Sequence, residues 1–130
     1  MALAGINRLG LQDHVKEIFD ETYIVPPAGQ GALAVMTNKD SEYNDIISKL
    51  NDENSRIEAL TEKAILETIG VGCQWPIGII SKVDGNNINI HCKLLSPEGK
   101  LLADVNETTK KNEAIDTAKA IGIKLREDTL

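Results

Sequence analysis

Aromatic side chains are almost missing from this chain: one Trp, two Tyr and one Phe among 130 residues. A core must therefore be built from Ile, Leu, Val and Ala. Cysteine is equally sparse. Cys73 and Cys92 stand in unlike contexts without a C-x-x-C pair, which argues against a disulfide framework or a zinc site. Positive charge is short too: 14 Lys and Arg face 20 Asp and Glu, for a net charge of −6, and no basic cluster exceeds Lys110-Lys111. Nucleic acid and anionic membranes want a basic face, so neither is an expected partner. No apolar run approaches the about 18 residues of a membrane span, and nothing at the start reads as a signal peptide. A reducing, cytoplasmic compartment is the expectation. No His, Asp or Glu set has metal-ligand spacing, so no metal is expected, and no internal repeat is visible.

The apolar content, 42%, is that of an ordinary globular domain, and the length suits one real core. It is unevenly organised. Residues 51–130 read coherently. Asn51 or Asp52 can cap a helix with Ile57, Leu60, Ala64, Ile65 and Ile69 at helical spacing, and Gly70 ends it. Ile77, Ile79 and Val83 alternate as in a strand, and Asp84-Gly85-Asn86 is a hairpin turn. In "NINIHCKLL", Ile88, Ile90, Cys92 and Leu94 share a face. Ser96-Pro97-Glu98-Gly99 makes the next turn, and Leu101, Ala103 and Val105 mark a third strand. A last helix carries Ala114, Ile115, Ala118, Ile121 and Leu125. The predicted class is α+β: a three-stranded antiparallel meander with helices packed on one face.

The first fifty residues offer only short pieces between breakers: helices over Ala2–Leu9, His14–Phe19 and Ser41–Leu50, a β-prone Thr22–Val25, and a strand-like run after Pro26-Pro27. They do not add up to a self-sufficient core.

Two stretches are candidate sites. Cys92 is in phase with the buried face of its strand and reads as a small hydrophobe. Cys73, in "VGCQWPIG", lies outside any apolar period, after a helix end and beside Gly72. Glycines leave backbone N–H groups free to stabilise a thiolate, so this residue stands open between a packed loop cysteine and a reactive thiol. The "PPAGQGALA" run lacks both the G-x-G-x-x-G spacing and a P-loop lysine, which argues against a nucleotide site.

Four segments in order, "LAGINRLGL" (Leu3–Leu11), "PPAGQGALAV" (Pro26–Val35), "LNDENSRIEALTEKAIL" (Leu50–Leu66) and "GVGCQWPIG" (Gly70–Gly78), resemble the porphobilinogen deaminase family, also called hydroxymethylbilane synthase. The resemblance implies a C-terminal fragment of that enzyme, with the remnants of two α/β lobes before the α+β domain. Residues 1–25 would end the second lobe. Residues 26–50 would supply the hinge strand and last helix of the first lobe, and 51–130 the cofactor-attachment domain.

The family condenses four porphobilinogens into hydroxymethylbilane, expelling ammonia at each addition. By resemblance, Cys73 would hold the dipyrromethane cofactor through a thioether with Gly72 beside it, a task for a soft nucleophile. Arg8 would bind carboxylates of substrate or cofactor through its guanidinium fork. Gln30, in the hinge motif, would contribute to substrate binding chiefly by backbone position. The family commonly has adjacent glycines before this cysteine, whereas Val71 separates Gly70 from Gly72, and Lys63 stands where Arg is usual. Its catalytic aspartate and most carboxylate-binding arginines belong to lobes this chain lacks, so no catalytic residue is expected here. The expectation is an inactive chain, without cofactor, that self-associates through the unpaired first fifty residues. Readings from other classes are a non-catalytic α+β interaction module, with Cys73 buried, and a thiol redox protein, with its pKa depressed.

Overall fold

A computed structural model describes residues 2–70 and 75–129. Helix α1 spans Leu3–Arg8 and α2 Asn44–Ser48. The longer α3, Glu53–Ile69, leads to strands β1 (Ile77–Asp84), β2 (Asn87–Leu95) and β3 (Leu101–Lys110), and α4 (Ala114–Thr129) follows. The strands form one antiparallel sheet in the order β1-β2-β3, and α3 and α4 pack together on one of its faces. This is the α+β meander that the alternation and turn residues imply.

Local signals set the element ends. The Asp52 carboxylate accepts the Ser55 N–H at 2.7 Å, which starts α3, and Gly70 at φ +69° ends it. Gly85 takes φ +57° between Asp84 and Asn87, which pair across the β1–β2 turn. In the next turn the Gly99 N–H reaches Ser96 O at 2.9 Å. The core joins Ile65 and Ile69 of α3, Ile79 of β1, Ile90 and Cys92 of β2, and Ala118, Ile121 and Leu125 of α4.

Two core expectations are corrected. Leu60 is 41% exposed, while Thr61 and Glu62 are buried in its place. The buried stripe of α3 runs through 61, 65 and 69, because Thr61 satisfies its hydroxyl on Ile57 O at 2.7 Å and Glu62 finds donors off the helix. Leu101 is exposed as well: a register shift at Leu94/Leu95 precedes its pairing with Leu95, at the frayed end of the ladder.

No residue from 2 to 50 is buried, in keeping with the absence of a self-sufficient core there. The expected helix over His14–Phe19 is only a single 3-10 turn, Gln12–His14, followed by chain without helix or strand. Short helices need an apolar face to pack, and this one has none to meet. Thr22–Val25 forms no strand, since the Asp20 carboxylate accepts the Thr22 N–H at 2.8 Å and the Tyr23 N–H turns back to Asp20 O at 3.0 Å. Residues 32–38 carry no strand ladder either, and Leu33 and Met36 are 98% and 93% exposed. A strand cannot satisfy its own backbone without a neighbour. Helix α2 is shorter than the expected Ser41–Leu50, its start delayed while the Asn44 amide donates back to Lys39 O at 2.8 Å.

Candidate functional site

The glycine-rich segment 26–31 is fastened to the C-terminal domain. Pro26 O accepts the Ile79 N–H at 2.8 Å. Gly78 leaves room for Val25, since a Cβ there would come within 2.8 Å of Val25 Cβ and collide with its carbonyl. Ala28 packs on the core, and the Gly29 N–H donates to Glu62 Oε2 at 2.6 Å. The other oxygen of Glu62 accepts the Ser81 N–H at 2.8 Å, and one turn earlier Glu58 Oε1 accepts the Val83 N–H at 2.7 Å. Three outward N–H groups of edge strand β1 are thereby covered. Sequence reasoning missed Glu62 as a site residue. Its signal was a carboxylate adjoining the apolar stripe, one turn after Glu58.

Two grooves flank this segment. One of about 470 Å³ lies between it, α3 and β1, with Gln30, Glu58, Glu62, Ser81 and Lys82 in its wall. A larger one of about 980 Å³, lined by Ile6, Phe19, Ile24 and Pro27, opens on the N-terminal side. Gln30 is exposed and lines both. Arg8 is exposed, lines neither, and makes no ion pair among the described residues. The other arginines sit elsewhere: Arg56 lies 3.8 Å from Glu53, and Arg126 reaches Thr68 O at 3.5 Å.

Cys73 and Gly72 lie outside the described residues. Their flanks are Gly70, which closes α3, and Trp75, which is half-buried. Beyond Trp75, Pro76 O accepts the Leu95 N–H at 3.0 Å. Cys92 is fully buried, and burial pushes its thiol up to about 12, with the Asp104 charge adding to the effect. It is a core residue with no nucleophilic thiolate at neutral pH. On the sheet face away from the helices, His91 Nε2 lies 2.8 Å from Asp104 Oδ1. That hydrogen bond first, then the nearby Lys93 charge, hold the Asp104 carboxyl below its usual range. Lys93 also donates to Thr22 O at 2.7 Å, and Lys82 pairs with Glu21, so this face carries the chain that leads into Pro26. Among the described residues, no group of three His, Cys, Asp or Glu could hold a metal ion, and no helix is long and apolar enough to cross a membrane.

Fold and site together define a small α+β domain with a glycine-rich segment strapped to its edge strand. The family pattern "Porphobilinogen deaminase, C-terminal domain" matches residues 56–130, and "Porphobilinogen deaminase, dipyromethane cofactor binding domain" matches residues 1–45. A protein of Methanothermobacter thermautotrophicus, named a probable porphobilinogen deaminase, is 42% identical over 119 residues, covering 92% of this chain and 41% of its own. One of Archaeoglobus fulgidus, under the same name, is 36% identical over 129 residues, covering 98% and 43%. The porphobilinogen deaminase of Chlorobium phaeobacteroides is 34% identical over 132 residues, covering 100% and 42%. This chain belongs to the porphobilinogen deaminase family. It spans about two fifths of the length of these relatives.

Proposed function

We propose that this chain is the C-terminal part of a cytoplasmic porphobilinogen deaminase, a transferase of tetrapyrrole and haem biosynthesis. The whole enzyme condenses four porphobilinogens into hydroxymethylbilane with loss of ammonia, and this part supplies the cysteine that anchors the dipyrromethane primer. One observation carries the anchor assignment. Of the two cysteines, Cys92 is sealed in the core with its thiol raised to about 12, which leaves Cys73 for thioether chemistry.

The donor set fits the attachment of the group but not its charges. Dipyrromethane bears several carboxylates, and when bound it supplies the primer to which substrate is added. Arg8, Arg56 and Arg126 do not converge: each has a different neighbourhood, and two are already engaged. No reaction step is therefore assigned to this chain alone. Its residues bind and position: Cys73 beside Gly72 as the anchor, Arg8 toward a carboxylate, and Gln30 held in the groove wall. Residues 1–50 belong with lobes supplied by the rest of the enzyme, 1–25 with the second and 26–50 with the first.

Incubating the chain with porphobilinogen tests the reading. The expected results are no release of hydroxymethylbilane and an intact mass without added cofactor. A chimera that joins the chain to the preceding lobes of the Methanothermobacter thermautotrophicus relative should acquire the cofactor's mass. A Cys73→Ala change should abolish that gain, and Cys92→Ala should not. Cofactor retained without Cys73 would overturn the anchor assignment.

A further inference from the structure

We infer that Glu62 is a positioning residue. Its carboxylate latches the segment 26–31 to the C-terminal domain, so that Gln30, α3 and β1 are held as one unit. Glu62 is 7% exposed and has no cation within ion-pair distance among the described residues. Its charge is balanced by hydrogen bonds instead: Gly29 N–H at 2.6 Å on one oxygen, and Ser81 N–H at 2.8 Å on the other. The Ser81 hydroxyl lies 3.1 Å from that second oxygen and 2.9 Å from Glu58 O, and donates to one of them.

These donors come from parts of the chain 33 and 19 residues from Glu62. Undocking the segment would exchange a hydrogen bond to a charged acceptor for one to water, so the carboxylate itself favours the docked state. A glutamine cannot replace it. Both donors are N–H groups and need acceptors, and an amide offers only one oxygen. The latch sits on α3, which precedes Cys73 in the sequence, and grips β1, which follows it. Val25 seated on Gly78 and Pro26 O on the Ile79 N–H extend the grip along the same edge. Gly29 and Gly31 adopt φ +74° and +87°, which turns the chain so that Gln30 faces the grooves.

The latch's bearing on catalysis rests on the function proposed above, but the latch itself is tested without cofactor or substrate. Amide exchange is followed by NMR in the full chain. Gly29 is exposed, so its amide owes its protection to this bond. Glu62→Gln is expected to speed exchange at Gly29 or Ser81, whichever N–H the single amide oxygen leaves, by about tenfold or more, from the strength of a hydrogen bond to a charged group, while the Ile90 and Cys92 amides keep their rates. Unchanged rates at both Gly29 and Ser81 in a folded Glu62→Gln variant would overturn the latch. If that variant does not fold, the wild-type chain decides by a scalar coupling across the bond from Gly29 N to Glu62 Cδ: its presence supports the latch and its absence refutes it. Gly78→Ala, which displaces Val25 from the other side, is expected to expose the Gly29 amide as well. A rate left unaltered there would refute movement as one unit. A chain that shows the latch yet never anchors cofactor at Cys73 would refute only the proposed function.

Discussion

Replacing Gly122 by Ala should destabilise the protein, although alanine is the better helix former. Gly122 lies in α4 where it crosses α3. A Cβ at this position would stand 2.7 Å from Thr68 Cβ, 3.0 Å from Thr68 Cγ2 and 3.1 Å from Ile65 O. Thr68 cannot rotate out of the way, because its Cβ is itself the contact and its hydroxyl is held on Ala64 O at 2.7 Å. Carbon atoms prefer about 3.5–4.0 Å, so the helices must part by about 1 Å and loosen the packing of Ile65, Ile121 and Leu125. Overpacking of this kind costs about 1–3 kcal/mol. The helix-propensity gain returns at most about 1 kcal/mol. With the full propensity gain subtracted, these two ranges leave a loss of about 0–2 kcal/mol, centred on about 1 kcal/mol. Urea denaturation read by far-UV circular dichroism should show a lower midpoint at unchanged slope. A control is Gly5→Ala in α1, which meets nothing within 4 Å on an element that buries nothing and should leave the midpoint in place. Combining Gly122→Ala with Thr68→Gly removes the colliding carbon, so the pair should cost less than the sum of the single changes. A midpoint that stays or rises in Gly122→Ala, or strict additivity in the cycle, would refute the close-packing explanation.

Further outcomes follow from the same contacts. Asp52→Ala removes the cap on the Ser55 N–H and should cost about 1 kcal/mol in the same denaturation experiment. Iodoacetamide on the native chain should leave Cys92 unmodified until denaturant is added, as read by peptide mass; early labelling of Cys92 would contradict its burial. With the Cys92 thiol raised from 9.0 to about 12, the unfolded chain loses a proton that the native chain keeps over this interval. The resulting stabilisation is complete below pH 9.0 and is lost as pH rises toward about 12, a slope that Cys92→Ala should remove. Asp104 acts in the opposite sense: its lowered pKa stabilises the fold above 3.8 and that contribution fades in acid, so Asp104→Asn should flatten the acid limb, modestly because the side chain is 42% exposed. Static light scattering of the concentrated chain should report self-association through Leu33, Met36 and their exposed neighbours, and a monomer at all concentrations would count against it.

From residue 51 onward, the element ends and alternations set by neighbours within a turn or two were readable from residue order alone. Asp52 caps, Gly70 and Gly85 turn, Ile88 through Leu94 alternate, and Ala114 through Leu125 recur at helical spacing, so the meander and its two helices follow from local chemistry. The same order separated Cys92, in phase with its strand, from Cys73, which is out of phase. Tertiary structure decided what those periods could not. It turned the buried stripe of α3 from Leu60 toward Thr61 and Glu62, because Glu62 has donors on Gly29 and Ser81 that no local pattern reveals. It left Leu33 through Met36 without a ladder, since strand propensity becomes strand only beside another strand. Helices and tight turns satisfy their backbone within themselves. A strand, a buried carboxylate and a docked segment need groups brought from far along the chain, and only the folded arrangement supplies them.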